Sequence, residues 1–183
     1  MTALVHHLRK LGRDTCGAEI AEAAAVLPLM FLILLGIFWF GQAFSIYGAI
    51  TRAAQDGARA GSLPYCATCT AANSSAANAV TAAQNDLLAA RLDPTLAQYP
   101  SPAPSLVSCT DGSTVVACDG TASPSNVCVQ TQVRLTPTAQ GASGLCGVSV
   151  SMRYPYRFWL PFTSINKQTI WITASSRMRM ENQ

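Results

Sequence analysis

The chain has 183 residues, of which 11% are charged and 50% are hydrophobic, so it is poor in charge for a soluble domain of average composition. The formal net charge of +3 is small, and basic residues are nowhere dense enough to indicate a nucleic-acid-binding protein. The length allows one modest domain beside a membrane anchor.

A short basic stretch, residues 1–17, ends in Gly17 and precedes a long apolar run. Glu22 is the fifth residue after the Gly17–Ala18 bond, and residues 23–51 contain no charged side chain. An ordinary secretory signal has its cleavage site behind the apolar stretch. Here the small residues that suit processing stand in front of it, so we expect the apolar helix to remain in the mature protein.

The apolar run predicts one membrane-spanning helix that continues beyond the bilayer. Residues 23–41 contain no charge, and a helix needs about 20 residues to cross the bilayer core. Pro28 lies inside this run, where we expect a kink. Residues 45–60 are rich in alanine, and a glycine and then a proline follow them as a stop. We therefore predict one helix over residues 19–60, half in lipid and half outside.

The pattern of the remaining chain predicts an α+β head. Residues 74–92 have a helical apolar stripe, with Asn73 as a candidate N-cap. The last third alternates apolar and polar residues with a period of two, which predicts strands over residues 127–135, 148–156 and 170–180, with a fourth over residues 114–118. We expect an antiparallel sheet of three to four strands, each with one buried face, covered by the long helix or the second helix.

Six of the seven cysteines lie beyond the apolar helix, and Cys16 lies before it. An even set on one side of a membrane predicts disulfides in an oxidising compartment, although six cysteines allow 15 pairings. The first two also form a CxxC, which suits a redox motif or half of a zinc site, but no second CxxC and no later histidine supports either. The predicted disulfide residues are Cys66, Cys69, Cys109, Cys118, Cys128 and Cys146.

These observations divide the chain into three parts. We expect residues 1–17 to be a leader that is removed, residues 18–61 a transmembrane and extended helix, and residues 62–183 an extracytoplasmic disulfide-bonded head. The basic residues before the span and the cysteines after it both favour a cytoplasmic N-terminus and a head on the other side.

Several segments resemble TadE-like proteins. They are residues 17–22 (GAEIAE), 26–28 (VLP), 36–43 (GIFWFGQA), 53–59 (AAQDGAR) and 172–181 (ITASSRMRME). Such proteins are minor pilins or pseudopilins of the tight-adherence (Flp) pilus system. The resemblance implies a pilin-like fold and a role in assembling a pilus for adhesion and biofilm formation.

The resemblance also implies partners, a location and site residues. A prepilin peptidase of the bacterial inner membrane would cut between Gly17 and Ala18. Other pilins, pseudopilins and the pilus assembly platform would then bind the mature protein, in the inner membrane or in the surface pilus. Cleavage leaves an α-amino group on Ala18, and Glu22 lies four residues later on the same helix face, so we expect Glu22 to act in assembly as its counter-charge.

The residues do not predict an enzyme. There is no nucleophile elbow, HExxH motif or P-loop. Both histidines precede the span, so the head has no histidine that could act as a general acid or base. The scattered acidic residues are expected to be solvated, and we predict no cofactor, metal, small-molecule substrate or nucleic acid. An alternative interpretation remains open: an uncleaved, membrane-anchored module whose head binds a surface or a glycan.

Overall fold

The computed structural model describes residues 15–63, 74–109, 115–118, 126–135, 145–157 and 169–180. The protein is α+β, as the sequence predicts. Contacts divide it into two units, Met1–Gln42 and Ala43–Gln183. The elements in chain order are helices α1 (Thr15–Ser62) and α2 (Ser75–Ala89), a 3-10 turn (Pro94–Leu96), and strands β1 (Leu106–Val107), β2 (Val115–Val116), β3 (Cys128–Arg134), β4 (Cys146–Arg157) and β5 (Thr169–Arg179).

Helix α1 is 48 residues long and includes Pro28. It begins four residues before the predicted range and ends two residues after it, within the usual uncertainty of element boundaries that are predicted from sequence. Its portion within the first unit has apolar side chains all around and little buried surface. The apolar character thus cannot come from burial in the protein's own core, which leaves lipid or other chains as the surroundings.

Helix α2 begins and ends with local hydrogen bonds that its sequence provides. The Ser74 hydroxyl accepts a hydrogen bond from the backbone N–H of Ala77 at 3.2 Å, so Ser74 is the N-cap and the prediction of Asn73 was wrong. Both residue types cap helices well, so the sequence does not settle a shift of one position. At the other end Arg91 adopts φ 59°, and the backbone N–H of Leu92 donates to the Leu87 carbonyl, which is a Schellman ending.

The main sheet has three antiparallel strands in the order β3–β4–β5. The predicted fourth strand does not join it: β2 pairs with β1 in a separate two-stranded sheet, with Leu106 opposite Val116. The register of β3 against β4 shifts between Gln130 and Val133, and Gln132 has φ 52° there. This bulge interrupts the simple alternation that the sequence of β3 suggests.

The core of the second unit lies between the two helices and one face of the sheet. Even-numbered side chains of β4 and β5 point into it. The sequence predicted the long helix or the second helix as its cover, and the structure has both. Its buried members are Ile50, Ala53, Ala54 and Ala58 of α1, Ala76, Ala79, Val80, Ala83 and Leu87 of α2, and Ala97, Val127, Val129, Val148, Val150, Met152, Tyr154 and Ala174. The small alanines let the helices approach the sheet closely.

The opposite face of β3 and β4 is buried too, so the prediction of one buried face per strand is wrong for these two strands. Gln130, Ser149 and Ser151 are each 1% exposed. The side-chain amide of Gln130 donates to the carbonyls of Pro104 and Val116, which belong to the segment that carries β1 and β2. The covering segment thus satisfies the amide nitrogen of Gln130, whereas the Gln130 Oε1 and Ser151 Oγ atoms are buried without a hydrogen-bond partner among the described residues. The polarity of these residues does not predict that protein instead of water surrounds them.

Candidate functional site

The predicted processing bond, Gly17–Ala18, lies in the first turn of α1, which begins at Thr15. The first four N–H groups of a helix lack acceptors within the helix. Helix ends therefore fray at low cost, whereas the middle of a helix opens only when several hydrogen bonds break.

Glu22 and Glu19 are both exposed on α1, and the helix places them differently around its axis. Position 22 is about 6 Å along the axis from position 18 and about 40° around it. Position 19 is about 100° around the axis from position 18. Glu22 therefore shares a helix face with Ala18, whereas Glu19 does not.

The described residues contain one helix long and apolar enough to cross a membrane, judged by length and composition. It is the part of α1 over Glu19–Ser62, whose most apolar window has a mean hydropathy of 2.5 and no buried residue. Over residues 19–42, Leu35 and Trp39 are half-buried, and twelve other large apolar side chains are between 49% and 71% exposed: Ile20, Val26, Leu27, Leu29, Met30, Phe31, Leu32, Ile33, Leu34, Ile37, Phe38 and Phe40. An exposed apolar surface of this extent requires lipid or apolar partners.

Two glycines near the end of α1 let it pack into the head. A Cβ atom on Gly57 would lie 2.9 Å from the carbonyl oxygen of Ala79 and 3.2 Å from the Ala83 Cβ. A Cβ atom on Gly61 would lie 3.0 Å from the Ala79 Cβ and 3.1 Å from a methyl carbon of Val148. The C-terminal part of α1 thus contacts α2 and β4 through backbone, which holds it firmly in the second unit.

Two acidic residues that the sequence analysis expected to be solvated, Asp56 and Asp86, lie with Arg52 between α1 and α2. Burial raises the pKa of the Asp86 carboxyl, a hydrogen bond with Asp56 and the charge of Asp56 raise it further, and Arg52 opposes them. Arg52 and Asp86 also line a cavity of about 430 Å³ with Gly48, Ala49, Ala89 and Ala90. The spacing of Arg52 and Asp56 by four residues was visible in the sequence, but the approach of Asp86 depends on tertiary packing.

Four of the predicted disulfide cysteines are paired in the structure. Cys109 bonds Cys146 with their Cα atoms 5.8 Å apart, and Cys118 bonds Cys128 with Cα atoms 4.9 Å apart. The first bridge joins the end of β1 to the start of β4, and the second joins the end of β2 to β3. Both therefore hold the covering segment against the sheet. Cys66 and Cys69 lie outside the described residues.

The fold and these positions define an α+β protein whose described residues include one long apolar helix near the N-terminus. Within that class, residues 17–59 match the family model described as TadE-like protein, which confirms the resemblance seen in the sequence. The match ends within α1, so the head lies outside it. No curated protein and no solved structure matches the chain.

Proposed function

We propose that this protein is a minor pilin or pseudopilin that acts in the assembly of a tight-adherence (Flp-type) pilus for surface attachment. The observation that carries the proposal is the TadE-like match over residues 17–59, which covers the exposed apolar helix and its first turns. An apolar helix segment that is not buried among the described residues is suited to two environments in turn: the lipid of a membrane and the packed helices of a fibre.

The proposal assigns a place and a sequence of events. The protein is inserted in the bacterial inner membrane as a single span, with its N-terminus in the cytoplasm and its head outside. A prepilin peptidase removes residues 1–17. The mature helix then binds other pilins or pseudopilins and the assembly platform. The protein contributes contacts to this process and no catalysis.

Intact mass spectrometry of the membrane-extracted protein tests the first event. In cells with an active prepilin peptidase we expect a mature chain that begins at Ala18 and has 166 residues. A Gly17→Val variant should remain at full length, because a branched side chain obstructs a peptidase site that accepts glycine. Gly12→Val is the matched control, since it makes the same change inside the leader, and it should be processed normally.

Two results would contradict the proposal. One is a full-length wild-type protein in cells that process their other prepilins, which would favour an uncleaved membrane-anchored binding module. The other is normal processing of the Gly17→Val variant.

A further inference from the structure

The charges of the head are distributed unevenly over its sheet. Strands β3, β4 and β5 carry five arginines and no acidic residue. Opposite residues of paired strands point to the same side, so the register places the odd-numbered residues of β4 and β5 on the face away from the core. All of the arginines on β4 and β5 lie on that outer face: Arg153, Arg157, Arg177 and Arg179.

This outer face is open along β5. The segment that covers β3 and β4 buries Ser149 and Ser151, but their partners across the ladder, Arg177 and Ser175, are exposed. Thr173 and Arg179 are exposed as well. We name the row formed by Arg153, Trp171, Thr173, Ser175, Arg177 and Arg179 the arginine strip. From Trp171 to Arg179 it is about 27 Å long at the usual rise of a strand.

One end of the arginine strip is held in place. The guanidinium carbon of Arg153 lies 4.4 Å from the centre of the Trp171 ring, and a terminal nitrogen of Arg153 donates to the side-chain oxygen of Gln98 at 3.0 Å. Trp171 is 39% exposed. A guanidinium that is stacked and hydrogen-bonded loses little further freedom when it binds an anion.

We propose that the arginine strip binds an acidic polysaccharide chain. Guanidinium groups at both ends of the row suit carboxylate or sulfate groups on successive sugars, because arginine binds such groups in a bidentate manner. The hydroxyls of Thr173 and Ser175, which lie between them, can donate to and accept from sugar hydroxyls. The length of the row and its open side suit an extended chain.

Three other occupants fit the face less well. A single strand of nucleic acid binds to several stacked aromatic side chains, and Trp171 is the one aromatic residue of the row. An anionic membrane surface attracts arginines but binds firmly when apolar side chains also insert, and the large aliphatic residues of β5 point to the other face. A protein partner requires a buried apolar anchor at the centre of the contact, where the strip has threonine and serine.

A binding assay on the full-length protein in non-ionic detergent tests the inference. The probes are polygalacturonate, neutral dextran of equal length, an oligothymidylate and phosphatidylglycerol vesicles. We expect binding to polygalacturonate that weakens with salt, and little binding to dextran. The variant Arg177→Gln with Arg179→Gln should raise the Kd for polygalacturonate about tenfold or more, because two charge-assisted contacts are lost.

The matched control is the variant Arg59→Gln with Arg91→Gln, which also removes two positive charges. Both residues are exposed: Arg59 lies on α1, and Arg91 follows the C-terminal end of α2. Its Kd should change by less than about twofold. Equal losses in the two variants, no binding to polygalacturonate, or tighter binding to the oligothymidylate or the vesicles would each overturn the inference. Binding by the strip does not require a pilus, so its failure is separate from that of the proposed function, which the mature mass of the same proteins reports.

Discussion

The surroundings of Asp86 disfavour the charged form of its carboxyl. It lies beside Asp56 at the junction of α1 and α2, and its pKa is raised by burial first and by Asp56 second. A carboxyl whose pKa is higher in the folded protein than in the unfolded one destabilises the fold once the pH exceeds the unfolded value, 3.8. Below that value the carboxyl is protonated in both states, and the penalty disappears.

We therefore expect Asp86→Asn to increase the free energy of unfolding at pH 7, by at most about 1 kcal/mol because solvent screens a partly exposed pair. Near pH 3 the variant and the wild type should be about equally stable. Denaturant unfolding of the detergent-solubilised protein at the two pH values measures the difference. If the variant were less stable than the wild type at pH 7, the prediction would be wrong, and the Asp86 carboxylate would stabilise the fold.

Asp93 supplies the control of opposite sign. Its carboxylate accepts hydrogen bonds from the backbone N–H and the hydroxyl of Thr95, and these bonds lower its pKa. A lowered pKa stabilises the fold above the unfolded value and loses that effect as the pH falls through the folded value. Asp93→Ala should thus be less stable than the wild type at pH 7 and approach it in acid.

At the level of elements, the two disulfides fasten the covering segment to the sheet. The bridge between Cys109 and Cys146 spans 37 residues, and a closed loop of that length stabilises by about 4 kcal/mol in the chain-entropy model. The bridge between Cys118 and Cys128 spans 10 residues and is worth about 3 kcal/mol in the same model. Gln130 adds its two hydrogen bonds between the bridges.

Peptide mapping of the processed protein without reduction tests this arrangement. We expect two linked peptides, Cys109 with Cys146 and Cys118 with Cys128. By elimination Cys66 should be linked to Cys69, so that the denatured, unreduced mature protein has no reactive thiol. Any exchange of partners among the four cysteines of the sheet, or two or more free thiols, would contradict it.

Most helices and strands were predictable from the sequence alone, whereas the surroundings of some strands were not. Periodicity was enough for α2 and the three long strands, because each buries an apolar face in the core, and the uncharged apolar run was enough for α1. The strand β2 was predicted, but its pairing with the main sheet was wrong, and so was the expectation that the outer faces of β3 and β4 are exposed. Gln130, Ser149 and Ser151 are polar, and only the path of a distant segment decides whether water or protein surrounds them. The local sequence also contains no pattern that predicts the bulge at Gln132.

The candidate site was predictable to a different degree. The roles predicted for Gly17, Ala18 and Glu22 rest on their order along the chain, before the span, and they stay predictions. The meeting of Arg52 and Asp56 with Asp86, and the stacking of Arg153 on Trp171, depend on which elements pack together. Pairing of β4 with β5 brings Arg153 and Trp171 together, and the spacing of these two residues in the sequence does not predict that contact.

On the scale of the whole molecule, the question is how copies with such an exposed helix pack together. Cleavage after Gly17 would leave an α-amino group on Ala18, which is largely cationic at neutral pH because its reference pKa is about 7.7–8.0. When the helix leaves lipid headgroups and water for a bundle of helices, that charge loses solvation and requires an opposite charge nearby. Glu22, four residues later on the same face, can supply it within the subunit or to a neighbour.

A carboxylate that pairs with a neighbour's amine also fixes the axial register between helices. An apolar surface without direction cannot do this, since Leu, Ile and Phe side chains pack about equally well at several offsets. The charge has a second, smaller effect, because an anion near the start of a helix is favoured by about 0.3–1 kcal/mol through the helix dipole. That effect would act on Glu19 as well, so comparing the two residues separates the roles.

We expect Glu22→Ala to be inserted and for the most part processed, yet to fail in assembly, whereas Glu19→Ala should assemble nearly normally. The measurements are a blot for the mature form, a pull-down of partner pilins and a count of pili or of attached cells. Glu22→Asp is the informative third variant: it keeps the charge but shortens its reach, so it should assemble poorly if the pair requires contact. Normal assembly by Glu22→Ala would reduce this residue to a charge at a helix end, and the register of the packed helices would then have to come from their apolar surfaces.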